Sequence, residues 1–182
     1  MDTPGQNHRS FLFTVGGVAM SHRLPPMIAG QGVSHEGSVL GPGEGEHLIH
    51  FRDHGHVVIK LGAATGSPNL AMGTQQVMPG TGIPTHRHLK MDEAFYVLEG
   101  QGTVILSEVR HDFEKGGSIF IPRNTWHGFE NPDHELLLLW IVAPPGVDSF
   151  FRETCSPPGT PPKQLSREQI REIALKYDVE FW

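Results

Sequence analysis

The stretch that decides the fold is GTGIPTHRHLKMDEAFYVLEG, residues 80 to 100, together with GGSIFIPRNTWHGFEN, residues 116 to 131. His86 and His88 stand two apart, so on a β-strand, where side chains alternate faces, both imidazoles project to one side and can share a cation. Glu93 follows five residues later at the head of the apolar run AFYVLEG, where a loop of Lys90, Met91 and Asp92 would return it opposite the two histidines. His127 comes after the strand-like SIFIP and the turn RNT, where a neighbouring strand could supply a fourth ligand. Three neutral imidazoles and a carboxylate suit a divalent first-row metal, with positions left open if the ion is five- or six-coordinate.

The first stretch fits G-x5-H-x-H-x4-E-x6-G at Gly80, His86, His88, Glu93 and Gly100, and the second fits G-x5-P-x-G-x2-H-x3-N at Gly116, Pro122, His127 and Asn131. Together they resemble the two motifs of the cupin superfamily over residues 70 to 143. The resemblance implies an all-β chain folded as a small antiparallel β-barrel, the double-stranded β-helix or jelly roll. It also implies that His86, His88, Glu93 and His127 hold one divalent transition metal (iron, manganese, nickel or zinc) inside that barrel. Two positions depart from the pattern without touching a ligand. Asn124 replaces a glycine, and Asn is the usual second choice where φ is positive. Gly117 stands where an aspartate would be expected to brace the turn.

Composition agrees with many turns and short strands. The 182 residues include 22 Gly and 15 Pro, and 37% are hydrophobic, a size that suits one domain with a sizeable core. A formal charge of −6 with no basic cluster argues against nucleic acid, whose phosphates demand dense Lys and Arg contacts. Cys155 is the only cysteine, so no intrachain disulfide can form, which fits a cytoplasmic protein. The apolar run within HRSFLFTVGGVAM resembles a degenerate export leader only poorly, which leaves export as the minor alternative to a cytoplasmic location, and it is too short to span a bilayer, so a membrane is not an expected partner.

Residues 1 to 47, rich in Gly, Pro, Ser and His toward their end, are expected to form an arm with one edge strand at most. The barrel is expected over 48 to 150, and a Pro-rich connector with a C-terminal helix over 151 to 182. Strands are predicted at 56–61, 70–78, 85–88, 93–98, 103–106, 110–113, 118–121, 127–130 and 136–142, joined by Gly- and Pro-bearing turns. The last, LLLLWIV, reads as a strand buried on both faces. Ser166 and Gln169 form a capping box ahead of Ile170, Ile173, Ala174 and Tyr177, whose spacing predicts the one helix.

Alternation also assigns faces. Phe95 and Val97 share the face of Glu93, and Phe129 that of His127, so these three are expected to wall the cavity. Either Gln75 or Gln76 must point inward, Trp126 is expected to pack outward, and Arg87 faces away from the metal. The second H-x-H, His54 and His56, lacks a following glutamate and reads as a turn, and His47, His50, His111 and His134 read as solvated. Apart from Arg87, Lys90 and Arg123 no Lys or Arg stands near the ligand strands, so there is no strong pull toward an anionic substrate.

Single-domain cupins with this ligand set resemble quercetinase-type dioxygenases, and also decarboxylase-like and isomerase-like members. The resemblance implies a metal-dependent dioxygenase or other oxidoreductase acting on a small phenolic or enolic molecule. Glu93 is its one general-base candidate, and a homodimer its expected assembly. A lyase, decarboxylase or isomerase, or a non-catalytic small-molecule binder, are the alternatives.

Overall fold

The computed structural model describes residues 37–182, so most of the expected N-terminal arm lies outside the described residues. Two antiparallel sheets carry the chain. The first contains β1 (Glu46–Ile49), β2 (His56–Leu61), β3 (Ala71–Val77), β5 (Asp92–Glu99), β8 (Ser118–Ile121) and β10 (Leu136–Ala143), in the order β1-β2-β3-β10-β5-β8. The second contains β4 (Ile83–His88), β6 (Gln101–Leu106), β7 (Val109–Glu114), β9 (His127–Glu130) and β11 (Val179–Phe181), in the order β11-β4-β9-β6-β7. This is the jelly-roll arrangement the motifs imply. Among the described residues the sheets meet through side chains and are not hydrogen-bonded into one ring.

Alternation sets the interior. On β3 every second residue from Ala71 to Val77 is buried, and on β5 Glu93, Phe95 and Val97 are. Tyr96 points out and is half exposed, as period two requires. The core joins Val57, Ile59, Val97, Leu138 and Trp140 of the first sheet to Val104 and Phe129 of the second. Phe95 and Phe129 bridge the two edge to face, with centroids 4.9 Å apart.

β10 departs from expectation. Leu136, Leu138, Trp140 and Val142 are buried, but Leu137 and Leu139 are only partly covered and Ile141 is exposed. A central strand of an antiparallel sheet needs only one buried face, so an unbroken apolar run overstates its burial.

The turns follow local chemistry. Asn124 takes φ 64°, the left-handed conformation that asparagine tolerates. The adjacent Arg123 donates from its backbone nitrogen and guanidinium to Asp92, which braces this turn from the head of β5. Asn131, 2% exposed, donates from Nδ2 to the carbonyls of Val77, Met78 and His134 and accepts from the Gly82 nitrogen at Oδ1. It thus ties the start of the first motif to the end of the second.

Two helices close one side. The expected helix is α2 (Arg167–Lys176), with Ser166 and Gln169 forming the capping box. α1 (Val147–Thr154) was not foreseen, although Val147, Phe150, Phe151 and Thr154 recur at i, i+3, i+4 and i+7 and all are buried. The preceding Pro144-Pro145-Gly146 hides its start, because Gly146 offers no capping side chain. Asp148 in the first turn accepts from the Gly146 nitrogen and from Arg152.

Candidate metal centre

β4 carries His86 and His88, and their side chains point into the space between the sheets, where both are buried. Glu93 enters from the other sheet at the head of β5, and His127 from β9, paired directly with His86. One ligand atom from each of the four lies within 4.8 Å of every other, and all four residues are buried. The His86 and His127 ring centroids are 4.1 Å apart, those of His86 and His88 5.1 Å, and those of His88 and His127 5.3 Å. The four sequence-predicted ligands therefore converge.

Hydrogen bonds orient two of the rings. His86 Nδ1 lies 2.8 Å from the Pro84 carbonyl, and His127 Nδ1 lies 2.9 Å from the Thr125 carbonyl. A carbonyl only accepts, so each Nδ1 carries the proton and each Nε2 is left as a bare lone pair. Burial, followed by the neighbouring His127 and His88, holds His86 well below the usual imidazole range, so it is neutral. Burial by itself would raise Glu93, but the His88 imidazole beside it outweighs that and holds the carboxyl below its ordinary range.

These contacts contain a mismatch that a cation resolves. Glu93 Oε2 lies 3.0 Å from His88 Nε2 and 3.2 Å from His127 Nε2. The bare His127 Nε2 thus faces a carboxylate oxygen with no hydrogen between them, and it is buried without a hydrogen-bond partner among the described residues. His88 Nδ1 is also buried and unpartnered. Buried acceptors without donors are costly, and a proton could relieve one of them. A multivalent cation relieves several at once, so the donor set fits a divalent metal.

The cluster opens on a cavity of about 810 Å³, large enough for a drug-sized ligand. Its apolar wall is supplied by Phe95, Ile170, Phe150, Phe151 and Phe181, with Trp126 and Trp182 also lining it. Of the three expected wall residues, Phe95 lines the cavity, whereas Val97 and Phe129 pack in the core and are not among its lining residues. Trp126 packs outward as expected and reaches the rim of the cavity. Its ring sits beneath the Arg87 guanidinium at 4.6 Å and against Trp182 at 5.3 Å. Of the glutamines, Gln75 points inward and is 5% exposed, while Gln76 donates to Glu135 on the outside.

Two further corrections concern the β1–β2 turn. His50 is 3% exposed rather than solvated, since its ring stacks on Phe51 and meets the edge of Phe151 from α1. Arg52 lines the same cavity as the ligand cluster, so a cation does face it. Neither could be found by local pattern, because the helix that covers them follows about a hundred residues later in the chain. His47, His111 and His134 are exposed, as expected, and so are His54 and His56.

With the geometry in place, the comparisons agree. The cupin domain family matches residues 73–143. The chain is 30% identical over 115 residues to auxin-binding protein 1 of Arabidopsis thaliana, covering 58% of each. It is 27% identical over 119 residues to the quercetin 2,3-dioxygenase of Bacillus subtilis, covering 65% of this chain and 35% of that one. A solved RmlC-like cupin from Shewanella frigidimarina superposes with a TM-score of 0.53 at 19% identity, over 62% of this chain and 96% of that one, a likeness of fold alone. The chain spans about a third to three fifths of the length of these curated relatives. Two sheets in jelly-roll order, the paired motifs and the family match define the class: residues 73–143 are a cupin domain. It carries a buried His-His-Glu-His cluster of metal-binding type.

Proposed function

We propose that the chain is a metal-dependent cupin enzyme, a dioxygenase-type oxidoreductase acting on a small phenolic or enolic molecule, with His86, His88, Glu93 and His127 as the metal ligands. The observation that carries this reading is the set of four buried ligand atoms at the wall of a largely apolar cavity. The bound metal would supply Lewis acidity and, where it is redox-active, electron transfer.

The chain's own residues do the rest. The Pro84 and Thr125 carbonyls hold the His86 and His127 rings with Nε2 toward the cluster. Glu93 supplies the negative charge and is the general-base candidate, its oxygen within 3.2 Å of two imidazoles. Phe95, Phe150 and Phe181 exclude water and offer flat apolar surface to an aromatic ring. The similarity to quercetin 2,3-dioxygenase supports the reaction class.

Oxygen uptake by iron-, nickel- or manganese-loaded protein over a panel of phenols and enols tests the proposal. Uptake with at least one metal is expected, and silence with all of them overturns it. Product formed without oxygen would instead identify a lyase, decarboxylase or isomerase. A non-catalytic binder is the second reading, favoured by the match to a protein named for binding auxin. It predicts ligand binding with no turnover under any condition. A homodimer and a cytoplasmic location belong to the same reading, and sedimentation velocity checks the first.

A further inference from the structure

We infer that the cavity has a second polar pole, formed by Arg52 with His50 and Gln75, that takes the carboxylate of a ligand whose oxygen donor faces the four-residue cluster. The inference rests on the proposed reading of this cavity as the ligand site and narrows the ligand to an organic acid with an apolar middle.

The pole is built and buried. His50 is 3% and Gln75 5% exposed, and both line the cavity with Arg52. The Gln75 amide has no hydrogen-bond partner among the described residues, unlike its neighbour Gln76. Arg52 donates from Nη2 to Asp53 Oδ2 at 3.2 Å, while its Nε is buried without a partner. Asp53 takes one edge of that guanidinium as its ion-pair partner. Its side chain is fully buried, and its oxygens also accept from the Met78 and Gly55 nitrogens and the Thr81 hydroxyl.

Hydrogen-bond direction selects the ligand group. His50 Nδ1 accepts from the Arg52 backbone nitrogen at 3.1 Å, so the neutral ring carries its proton on Nε2. Burial and then the Arg52 charge push this imidazole down to about 3, which keeps it neutral. The pole therefore offers a guanidinium, an imidazole N–H and a carboxamide. Donors of this kind leave a neutral carbonyl half-matched and suit a carboxylate, which only accepts.

Sheet register sets the span. Gln75 pairs with Leu138, and Glu93 with Val142, four residues further along β10. At the rise of a strand this places the pole roughly 13 Å along the sheet from Glu93, before either side chain reaches inward. One aromatic ring with a short chain fills such a gap, and Phe150 and Phe151 line the cavity.

The test titrates the full chain, metal-free and metal-loaded, with para-hydroxyphenylpropanoate and with its primary amide. Binding is followed by the fluorescence of Trp126 and Trp182 and checked by calorimetry, with metal content measured separately. The acid is expected to bind at least about tenfold more tightly than the amide, the order of one charge-assisted contact. Arg52→Gln is expected to bring the two ligands within about twofold while metal content stays unchanged, and Gln75→Leu to weaken the acid more than the amide. Equal binding of acid and amide by the unaltered chain overturns the inference, as does binding of neither, or an acid preference that survives Arg52→Gln. Should Arg52→Gln not fold, the acid-to-amide ratio of the unaltered chain and of Gln75→Leu still decides. Acid preference without metal uptake would sink the metal reading and leave the pole. Metal uptake without acid preference would do the reverse.

Discussion

At the scale of single residues, the cluster depends on a bare Nε2 meeting a carboxylate that cannot donate to it. Removing His127 takes away both the lone pair and the ring locked by Thr125. His127→Ala should therefore cut metal affinity by more than the roughly 10- to 100-fold typical of losing an outer partner, measured by metal analysis of purified protein and by competition with a chelator. His50 makes a separate prediction. Its folded value is near 3 against an ordinary 6.5, so the unfolded chain binds the extra proton between those limits. Stability contributed by keeping His50 neutral is present above pH 6.5 and is lost as pH falls toward 3, with a slope of at most about 1.4 kcal/mol per pH unit. Urea unfolding across that range should be flatter for His50→Phe than for the unaltered chain. Of the cluster, His86 and His88 were legible because a two-residue spacing reports one strand face, and Glu93 and His127 through the two paired motifs. His50 and Arg52 were not, because they lie outside regular strands, where alternation says nothing.

At the scale of elements, β11 is decisive. It pairs with the ligand strand, Val179 opposite His88 and Phe181 opposite His86, and the Phe181 ring sits 5.5 Å from that of His86. Trp182 donates its backbone nitrogen to the Thr85 carbonyl and accepts from Arg171 at its own, so the chain end is fastened on both sides. Ending the chain after Asp178 should cost roughly 3 kcal/mol, the order of one large-to-small core change, and uncover one side of β4. Hydrogen exchange should rise at Thr85 to His88 while β5 and β10 stay protected, and uniform deprotection would contradict this. A strand of three residues has too short a period to read from sequence, so β11 could be found only through its partner. α1 did carry a readable stripe, and the proline-proline-glycine before it masked the start. α2 was readable because Ser166 and Gln169 announce it within four residues.

At the scale of the whole molecule, the cluster draws on both sheets, with Glu93 from one and three histidines from the other. An ion bound there joins the sheets in the folded chain and has no preformed site in the unfolded one. Saturating metal should therefore raise the melting temperature, with about 2.7 kcal/mol of added stability at a hundred times Kd, and a chelator should reverse the gain. Calorimetric scans at several metal concentrations measure this, and a midpoint indifferent to metal would refute it. The sequence by itself determined the alternation of the strands, the turns and, through the two paired motifs, the four residues of the cluster, since each motif is written in spacings of a few residues. The tertiary structure alone decided what surrounds them. Arg52, Gln75, Phe150 and Phe181 come from positions up to 129 residues apart. Only the packing of helices and the last strand against two sheets brings them to one cavity, and no local period encodes that meeting.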